Sequence, residues 1–286
     1  MKKIPASKLT ALVLTYNEEI NLERVLSQLQ WLEKVIVLDS YSTDATISIA
    51  EKFSNTQILF RKFDTFAGQC NYGLSCIDSP WVLSLDADYV LPEAFIRETI
   101  EYIENTVPVA YYTPFKFMVF GKPLLRDNTT SRPVLFQKEH CYYFDDGHAH
   151  RLAIDGNSGS YKSFIYHDDR KPLSHWLAML DKYSIKECEK ILHPKSGSAR
   201  GFVRRIRRTK VLAPFGVFLY CVFVNGFFLN GWRGWHYTLQ RTLVEILFTI
   251  RLIEEEKLKP EANPENERES MARESATKKT PYVVAE

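Results

Sequence analysis

"SLDADYV", residues 84–90, ends the apolar run "WVLSLDAD" (81–88) with two carboxylates one residue apart, Asp86 and Asp88. Carboxylates that close raise each other's pKa unless a cation lies between them. A short apolar run that stops at acidic residues reads as a buried parallel strand whose carboxyl end opens on a site. Three upstream runs have the same form: "KLTALVLTYN" (8–17), "EKVIVLDS" (33–40) and "TQILFRKF" (56–63). The stretches between them are helical in character. "EEINLERVLSQLQWL" (18–32) sets Ile20, Leu22, Val25, Leu26 and Leu29 at helical spacing. "STDATISIAEKF" (42–53) opens a second helix, with Ser42 or Thr43 as N-cap and Asp44 in its first turn. "AGQCNYGLSCI" (67–77) reads as a third. Strand and helix alternate, which predicts an α/β doubly wound, mainly parallel sheet with helices on both faces.

Ligands of such sheets bind beyond the carboxyl ends of the strands. Tyr16, Asn17, Asp39, Asp86 and Asp88 all fall at those ends and are expected to converge on one cleft. Three carboxylates in one cleft are costly without a cation. Hard oxygen ligands with room for phosphate oxygens suit Mg2+ or Mn2+.

The bulk composition permits this reading. The chain has 286 residues, 45% hydrophobic and 25% charged, enough for a buried core. A net charge of +2 does not by itself point to nucleic acid. Five scattered cysteines form no CxxC pair, so neither a disulfide framework nor a zinc knuckle is suggested, and a reducing compartment fits. The apolar run Leu9–Leu14 is too short for a signal-peptide core and reads as the first strand.

Residues 105–170 are rich in aromatics, with prolines at 108, 114, 123 and 133, and predict mixed sheet and loops completing the site. Helical period returns over 173–192. "RRIRRTK" (204–210) then precedes "VLAPFGVFLYCVFVNGFFLNGW" (211–232). Residues 211–229 approach the roughly 20 apolar residues that span a bilayer, behind a basic flank, but Pro214, two glycines and Asn225 suit a kinked or re-entrant helix, so spanning and lying on the membrane both stay open. The stretch beyond, with Leu239, Leu243, Ile246, Leu247, Ile250 and Ile253 on one face, is amphipathic. The alternative is that both helices bury against the catalytic domain or a second subunit. The expected division is a catalytic domain over 1–195, a basic and apolar membrane-associated helical region over 196–254, and a disordered charged tail over 255–286.

"LVLTYNEEINLERVLSQL", "VIVLDSYSTDAT" and "WVLSLDADYVL", in that order and at these separations, resemble the family 2 glycosyltransferases. The bacterial members most resembled build lipopolysaccharide core or exopolysaccharide. The resemblance covers roughly residues 8–190 and implies a GT-A fold with inverting transfer from a nucleotide-activated sugar. It implies that Tyr16, Asn17 and Glu18 line the base and ribose pocket and that Asp39 accepts a hydrogen bond from base or ribose. Asp86 would meet the ribose or a metal-bound water, Asp88 would ligate the metal, and Gly68, Gln69 and Asn71 would lie on a nucleotide-facing loop and helix. Where the family often has a second acid after Asp39, this chain has Ser40. His167, in "YHDDR", would reach the metal or the diphosphate; Arg151 and Arg170 could neutralise phosphate charge, or Arg170 could form a salt bridge with Asp168 or Asp169.

An acceptor hydroxyl attacking an oxocarbenium-like centre needs a general base on the opposite side of the sugar. "DDGHAHRLAIDG" (145–156) is the candidate segment. Relatives often read histidine, glutamate, any residue, leucine there; aligned on Leu152, His150 takes the glutamate position and Ala149 the histidine. The base is then His150, or else Asp145 or Asp146. A zinc site on His148, His150, His167 and Asp168 is a rival, without a helical HExxH to support it. The expected partners are a nucleotide-sugar donor, a lipid-linked or saccharide acceptor and a membrane surface, with no nucleic acid, at the cytoplasmic face of the bacterial inner membrane. The rivals are a sugar-nucleotide-binding protein that has lost its base, a membrane-bound interaction protein and a nucleotidyltransferase. The last would normally show a glycine-rich phosphate loop, and "TYNEEINL" has no glycine.

Overall fold

The computed structural model describes residues 3–105, 107–125, 131–146, 149–192, 207 and 209–258. In chain order the first half holds β1 (Leu9–Thr15), α1 (Leu22–Gln28), β2 (Val35–Asp39), α2 (Thr46–Ala50), β3 (Thr56–Phe60), α3 (Phe66–Ser75), β4 (Trp81–Asp86), β5 (Tyr89–Val90) and α4 (Glu93–Asn105). Then come β6 (Ala110–Thr113), β7 (Phe115–Val119), β8 (Lys122–Pro123), β9 (Arg132–Gln137), β10 (Cys141–Asp146), β11 (Ala149–Ile154), β12 (Ser158–Ser160), β13 (Ile165–His167) and α5 (Leu173–Leu192). Two further helices, α6 (Leu212–Leu219) and α7 (Trp232–Leu258), end the described chain.

Seven strands form the main sheet in the order β12-β6-β9-β4-β1-β2-β3. Only β9 runs against the others, because it pairs antiparallel with both β4 and β6. The expected α/β, mainly parallel sheet is therefore present. β1, β2 and β4 are nearly all-buried strands, and their side chains alternate between two core layers. On one side Leu9, Ala11 and Val13 pack with Leu22, Val25 and Leu26 of α1, Ile49 of α2 and Phe95 of α4. On the other, Leu12 and Val82 pack with Ala67, Cys70 and Leu74 of α3. Gly73 of α3 admits the sheet closely: a Cβ there would lie 2.6 Å from a Leu12 methyl. The register places Thr15 beside Asp39 and Leu14 beside Asp86, so the acidic strand ends come level.

A second sheet, β5-β13-β7-β8, and the β10–β11 hairpin complete the region expected to be mixed sheet and loops. Two local expectations change. The first helix is shorter than 18–32, at Leu22–Gln28. The second begins at Thr46, not after Ser42 or Thr43. Asp44 accepts from the Thr46 amide at 3.0 Å, while Ser42 donates its amide and hydroxyl to the buried Asp39 carboxylate. A buried charge needs those donors more than an exposed helix end does.

Of the two arrangements left open for residues 211–229, spanning the membrane is not supported. Among the described residues no helix is long and apolar enough to cross a membrane. The apolar run breaks into α6, one π-type turn over Tyr220–Val224 and a 3-10 turn over Phe227–Asn230, with Gly226 and Gly231 at positive φ. A β-carbon on Gly234 would fall 1.7 Å from the Phe227 carbonyl oxygen, so this glycine lets α7 pack directly on that turn. The basic run is also not a free flank where it is described. Arg207 is ion-paired with Glu187 and Glu245 at 2.8 Å each, and Lys210 is paired with Glu256. Arg204, Arg205 and Arg208 lie outside the described residues. The tail expected from Glu255 begins inside α7, which runs to Leu258; residues 259–286 lie outside the described residues.

Candidate active site

Asp39 ends β2 fully buried. Thr15 Oγ1 donates to one carboxylate oxygen at 2.9 Å, and the Ser42 amide donates to the other at 2.7 Å. The acid thus pins the 40–43 turn, and that turn is tied in turn to the loop after β1. The Asn17 amide donates to Ser42 Oγ at 2.8 Å and the Thr43 amide to Asn17 Oδ1 at 2.8 Å. Asn17 has φ +53°, which asparagine tolerates, and Tyr41 has φ +64°, which a bulky residue does not readily adopt. The exposed Tyr41 ring stacks on Phe60 at 5.8 Å. Tyr16 stands half-exposed on the same rim. Gln69 is buried, with its amide donating to Ser40 Oγ and the Arg61 carbonyl and its oxygen accepting from Arg61. It braces the rim from behind. Gly68 and Asn71 lie on α3, and Asn71 exchanges two hydrogen bonds with the backbone of Tyr143.

Asp86 is the last residue of β4, half-buried, and Asp88 follows one residue later, almost fully buried. His167 Nε2 lies 2.8 Å from Asp88 Oδ2, while Asp88 Oδ1 is buried with no partner. Burial pushes the Asp88 carboxyl up, but the His167 charge and hydrogen bond, aided by Lys171, hold it below the usual range. Burial opposes charging His167; the Asp88 carboxylate and, behind it, Asp86 outweigh that and raise its pKa. β13 puts His167 there by pairing it with Tyr89, just past the acids.

The loop after β13 is locked to α1 by a charged network that includes Glu18, Asp168 and Arg170 and also Asn21, Arg24 and Lys171, which the sequence did not single out. Asn21, fully buried, donates to Glu18 and to Asp169 at 3.0 Å each. Arg24 donates to the Asp168 carbonyl at 2.6 Å, and its charge faces the Asp168 carboxylate at 3.5 Å. Arg170 also pairs with Asp168, at 2.9 Å, rather than standing free for phosphate. Lys171 is paired with Glu18. Burial lifts the Glu18 carboxyl to about 7, and Lys171 recovers only part of that cost. The one signal for Lys171 was its place in the charge-dense run after His167.

The β10–β11 hairpin delivers His150 opposite Asp145. Its imidazole stacks on Phe66 at 5.5 Å and tilts against Tyr143 at 5.3 Å. Tyr143 in turn donates from its hydroxyl to Ser84 of β4 at 3.0 Å, which fixes the hairpin over the acidic strand. Burial pulls the His150 pKa below its ordinary value of 6.5 against the opposing field of Asp86 and Asp145, so the ring is neutral near pH 7. Asp145 accepts from the Ala67 amide at the start of α3 at 3.3 Å. Asp146 lies on the same hairpin, paired in register with Ala149. His148 lies outside the described residues. Arg132, the first residue of β9, was also missed; nothing local in "RPVLFQK" shows which strands it will pair with.

Among the described residues no three His, Cys, Asp or Glu side chains converge as a ready-made metal cage. The pair Asp88 and His167, with the unpartnered Asp88 Oδ1 and with Asp86 nearby, nevertheless fits a divalent ion that takes its remaining ligands from phosphate and water.

The chain matches Glycosyl transferase family 2 over residues 10–171. An uncharacterised glycosyltransferase of Rickettsia conorii is 28% identical over 171 residues, covering 59% of this chain and 58% of that protein. A lipopolysaccharide core biosynthesis glycosyltransferase of Rhizobium meliloti is 28% identical over 101 residues, 34% of this chain and 37% of that one. The chain thus spans less than three-fifths of the length of these curated relatives. The S. aureus TarS structure with UDP-GlcNAc aligns over 87% of this chain and 92% of that one, at 14% identity and a TM-score of 0.47. The family match takes in β1 to β13, from the first strand to the loop behind His167, and so contains every element that builds the cleft: this chain belongs to glycosyl transferase family 2.

Proposed function

We propose that the chain is an inverting glycosyltransferase that takes a sugar from a nucleotide-diphosphate donor and passes it to a lipid-linked or saccharide acceptor of bacterial envelope polysaccharide. The observation that carries this reading is the acidic end of β4, where Asp88 keeps a buried, unpartnered carboxylate oxygen beside His167. Asp86, Asp88 and His167 would hold Mg2+ or Mn2+, which supplies Lewis-acid neutralisation of the leaving diphosphate. Tyr16, Asn17 and Tyr41 on the rim would receive the base and ribose, with Asp39, Glu18 and Gln69 holding that rim in shape. His150, neutral near pH 7, would accept the proton of the attacking hydroxyl at its ring nitrogen; Asp145 and Asp146 share its hairpin as alternatives. The acceptor class is supported by the partial match to the lipopolysaccharide core enzyme.

The same reading seats the enzyme on the cytoplasmic face of the inner membrane, by in-plane contact. Leu212, Phe215, Leu219, Phe223, Val224 and Trp232 are exposed along the α6–α7 region. An apolar cavity of about 440 Å³ lies between α6 and α7, lined by Phe215, Phe218, Ile246 and Ile250 among others.

The deciding experiment is nucleoside diphosphate release from a sugar-nucleotide panel with Mn2+ or Mg2+. Turnover is expected to vanish with chelator and to fall at least about 100-fold in Asp88→Asn, while His150→Gln is expected to lose roughly 100- to 10,000-fold. Binding of a sugar nucleotide with no turnover under any metal or acceptor would favour a non-catalytic binding protein.

A further inference from the structure

We propose that Arg132 forms an anion subsite at the edge of the cleft, taking a phosphate or carboxylate group of a substrate. The placement follows from topology. β9 is antiparallel to β4, so its first residue emerges where the parallel strands end. Leu83 pairs with Leu135, and β9 then bulges against β6 between Leu135 and Pro133, so Arg132 lies beyond the bulge, toward the end at which β4 reaches Asp86. On its other side Arg132 pairs with Thr113 of β6. The guanidinium lies 5.9 Å from the Phe115 ring centroid. From there a chain of rings leads into the site: Phe115 to Tyr89 at 5.0 Å, Tyr89 to His167 at 5.7 Å, then His167 to Asp88 at 2.8 Å.

The other arginines and the lysine placed around the cleft are already matched. Lys171 is spent on Glu18, Arg24 and Arg170 on Asp168, and Arg61 on Asp64. Arg132 is exposed and has no carboxylate partner among the described residues. Its charge works against protonation of His150 on the hairpin over β4. A ring contact at the outer limit of cation–π range is worth only about 0.5–1 kcal/mol and leaves the guanidinium without a charged partner among the described residues. A guanidinium fork is suited to two oxygens of one phosphate or carboxylate. Two sources offer that chemistry: the diphosphate of the donor, or an acidic sugar of the acceptor.

The subsite rests on the transferase reading only for the origin of its anion, and binding can be measured without turnover. The test is calorimetric titration of the full chain, in chelator, with inorganic pyrophosphate and separately with glucuronate, for wild type, Arg132→Gln and Arg132→Lys. The wild type is expected to bind one of the two probes, Arg132→Gln to bind it at least tenfold more weakly, and Arg132→Lys to fall between. Arg132-dependent loss of pyrophosphate assigns the subsite to the donor. Loss of glucuronate alone assigns it to an acidic acceptor sugar. Equal binding by wild type and Arg132→Gln, or no binding of either probe by wild type, overturns the proposal. Arg132-dependent binding in a protein that turns over no sugar nucleotide would instead overturn the transferase reading and leave the subsite standing.

Discussion

At the scale of single residues, the cleft separates groups held in place from groups left available. Asp39, Gln69 and Asn21 are buried and hydrogen-bonded, and their work is to hold loops. Asp88 is buried with one oxygen unmatched among the described residues, a costly state that a bound cation would relieve. Glu18 is the residue whose titration should be visible in stability. Its carboxyl rises from 4.5 to about 7 in the folded protein, chiefly through burial. A raised pKa means that the folded state binds the proton more tightly, so this group's contribution is complete below about 4.5 and is lost as pH rises through about 7. Urea unfolding at pH 5 and pH 8 is therefore expected to show a smaller stability drop in Glu18→Gln than in the wild type. Equal drops would place the shift elsewhere.

At the scale of elements, one contact shapes the site and another joins the C-terminal helices. The β10–β11 hairpin is carried over β4 by Asn71 and by the Tyr143–Ser84 hydrogen bond, and this brings His150 near Asp86. The C-terminal helices are joined by a buried ion triad. Arg207 from the segment before α6 meets Glu187 of α5 and Glu245 of α7, whose side chains are 12% and 4% exposed. Removing one member leaves buried charge uncompensated, so Arg207→Met is expected to cost about 3–5 kcal/mol. The triple replacement Arg207→Met, Glu187→Gln and Glu245→Leu should recover much of that, because an apolar contact replaces the burden of desolvating three charges. Thermal melts of both variants check this; a triple variant as unstable as the single one would show that the triad is net favourable.

At the scale of the molecule, the catalytic sheet and the apolar helices form one packed body. His167 lies 4.8 Å from the Phe117 ring, Phe117 lies 5.7 Å from Tyr237 of α7, and Tyr237 lies 5.2 Å from Phe227. The rings of Phe117 and Tyr237 thus connect the acidic cleft to the buried Phe227 beneath the C-terminal helices. Co-sedimentation with vesicles of anionic phospholipid is expected for the wild type and is expected to fall several-fold in Phe215→Asp with Phe223→Asp. Both side chains are more than 60% exposed, so the double change should leave folding intact. Undiminished sedimentation would remove this face as the membrane contact.

The amino-acid sequence by itself determined the local pattern. Alternating apolar runs and amphipathic stretches specify parallel strands with intervening helices, and acids at run ends specify where the cleft opens, because these are features of nearest neighbours and period. That much located Tyr16, Asn17, Asp39, Asp86 and Asp88. The tertiary structure alone decided what depends on pairing between distant segments. Arg132 reaches the site because β9 inserts antiparallel beside β4, and no local signal encodes that register. Lys171 and Arg24 find acids more than 140 residues away in sequence. Arg207 and Lys210, which read as a free basic flank, turn inward because buried glutamate on α7 and an acid at its end attract them more strongly than solvent does. The apolar run at 211–229 leaves the regular helix after Leu219 and turns at Gly226, as its glycines and asparagine allow; that α7 packs back on the turn through Gly234 is a contact that exists only once both segments are folded.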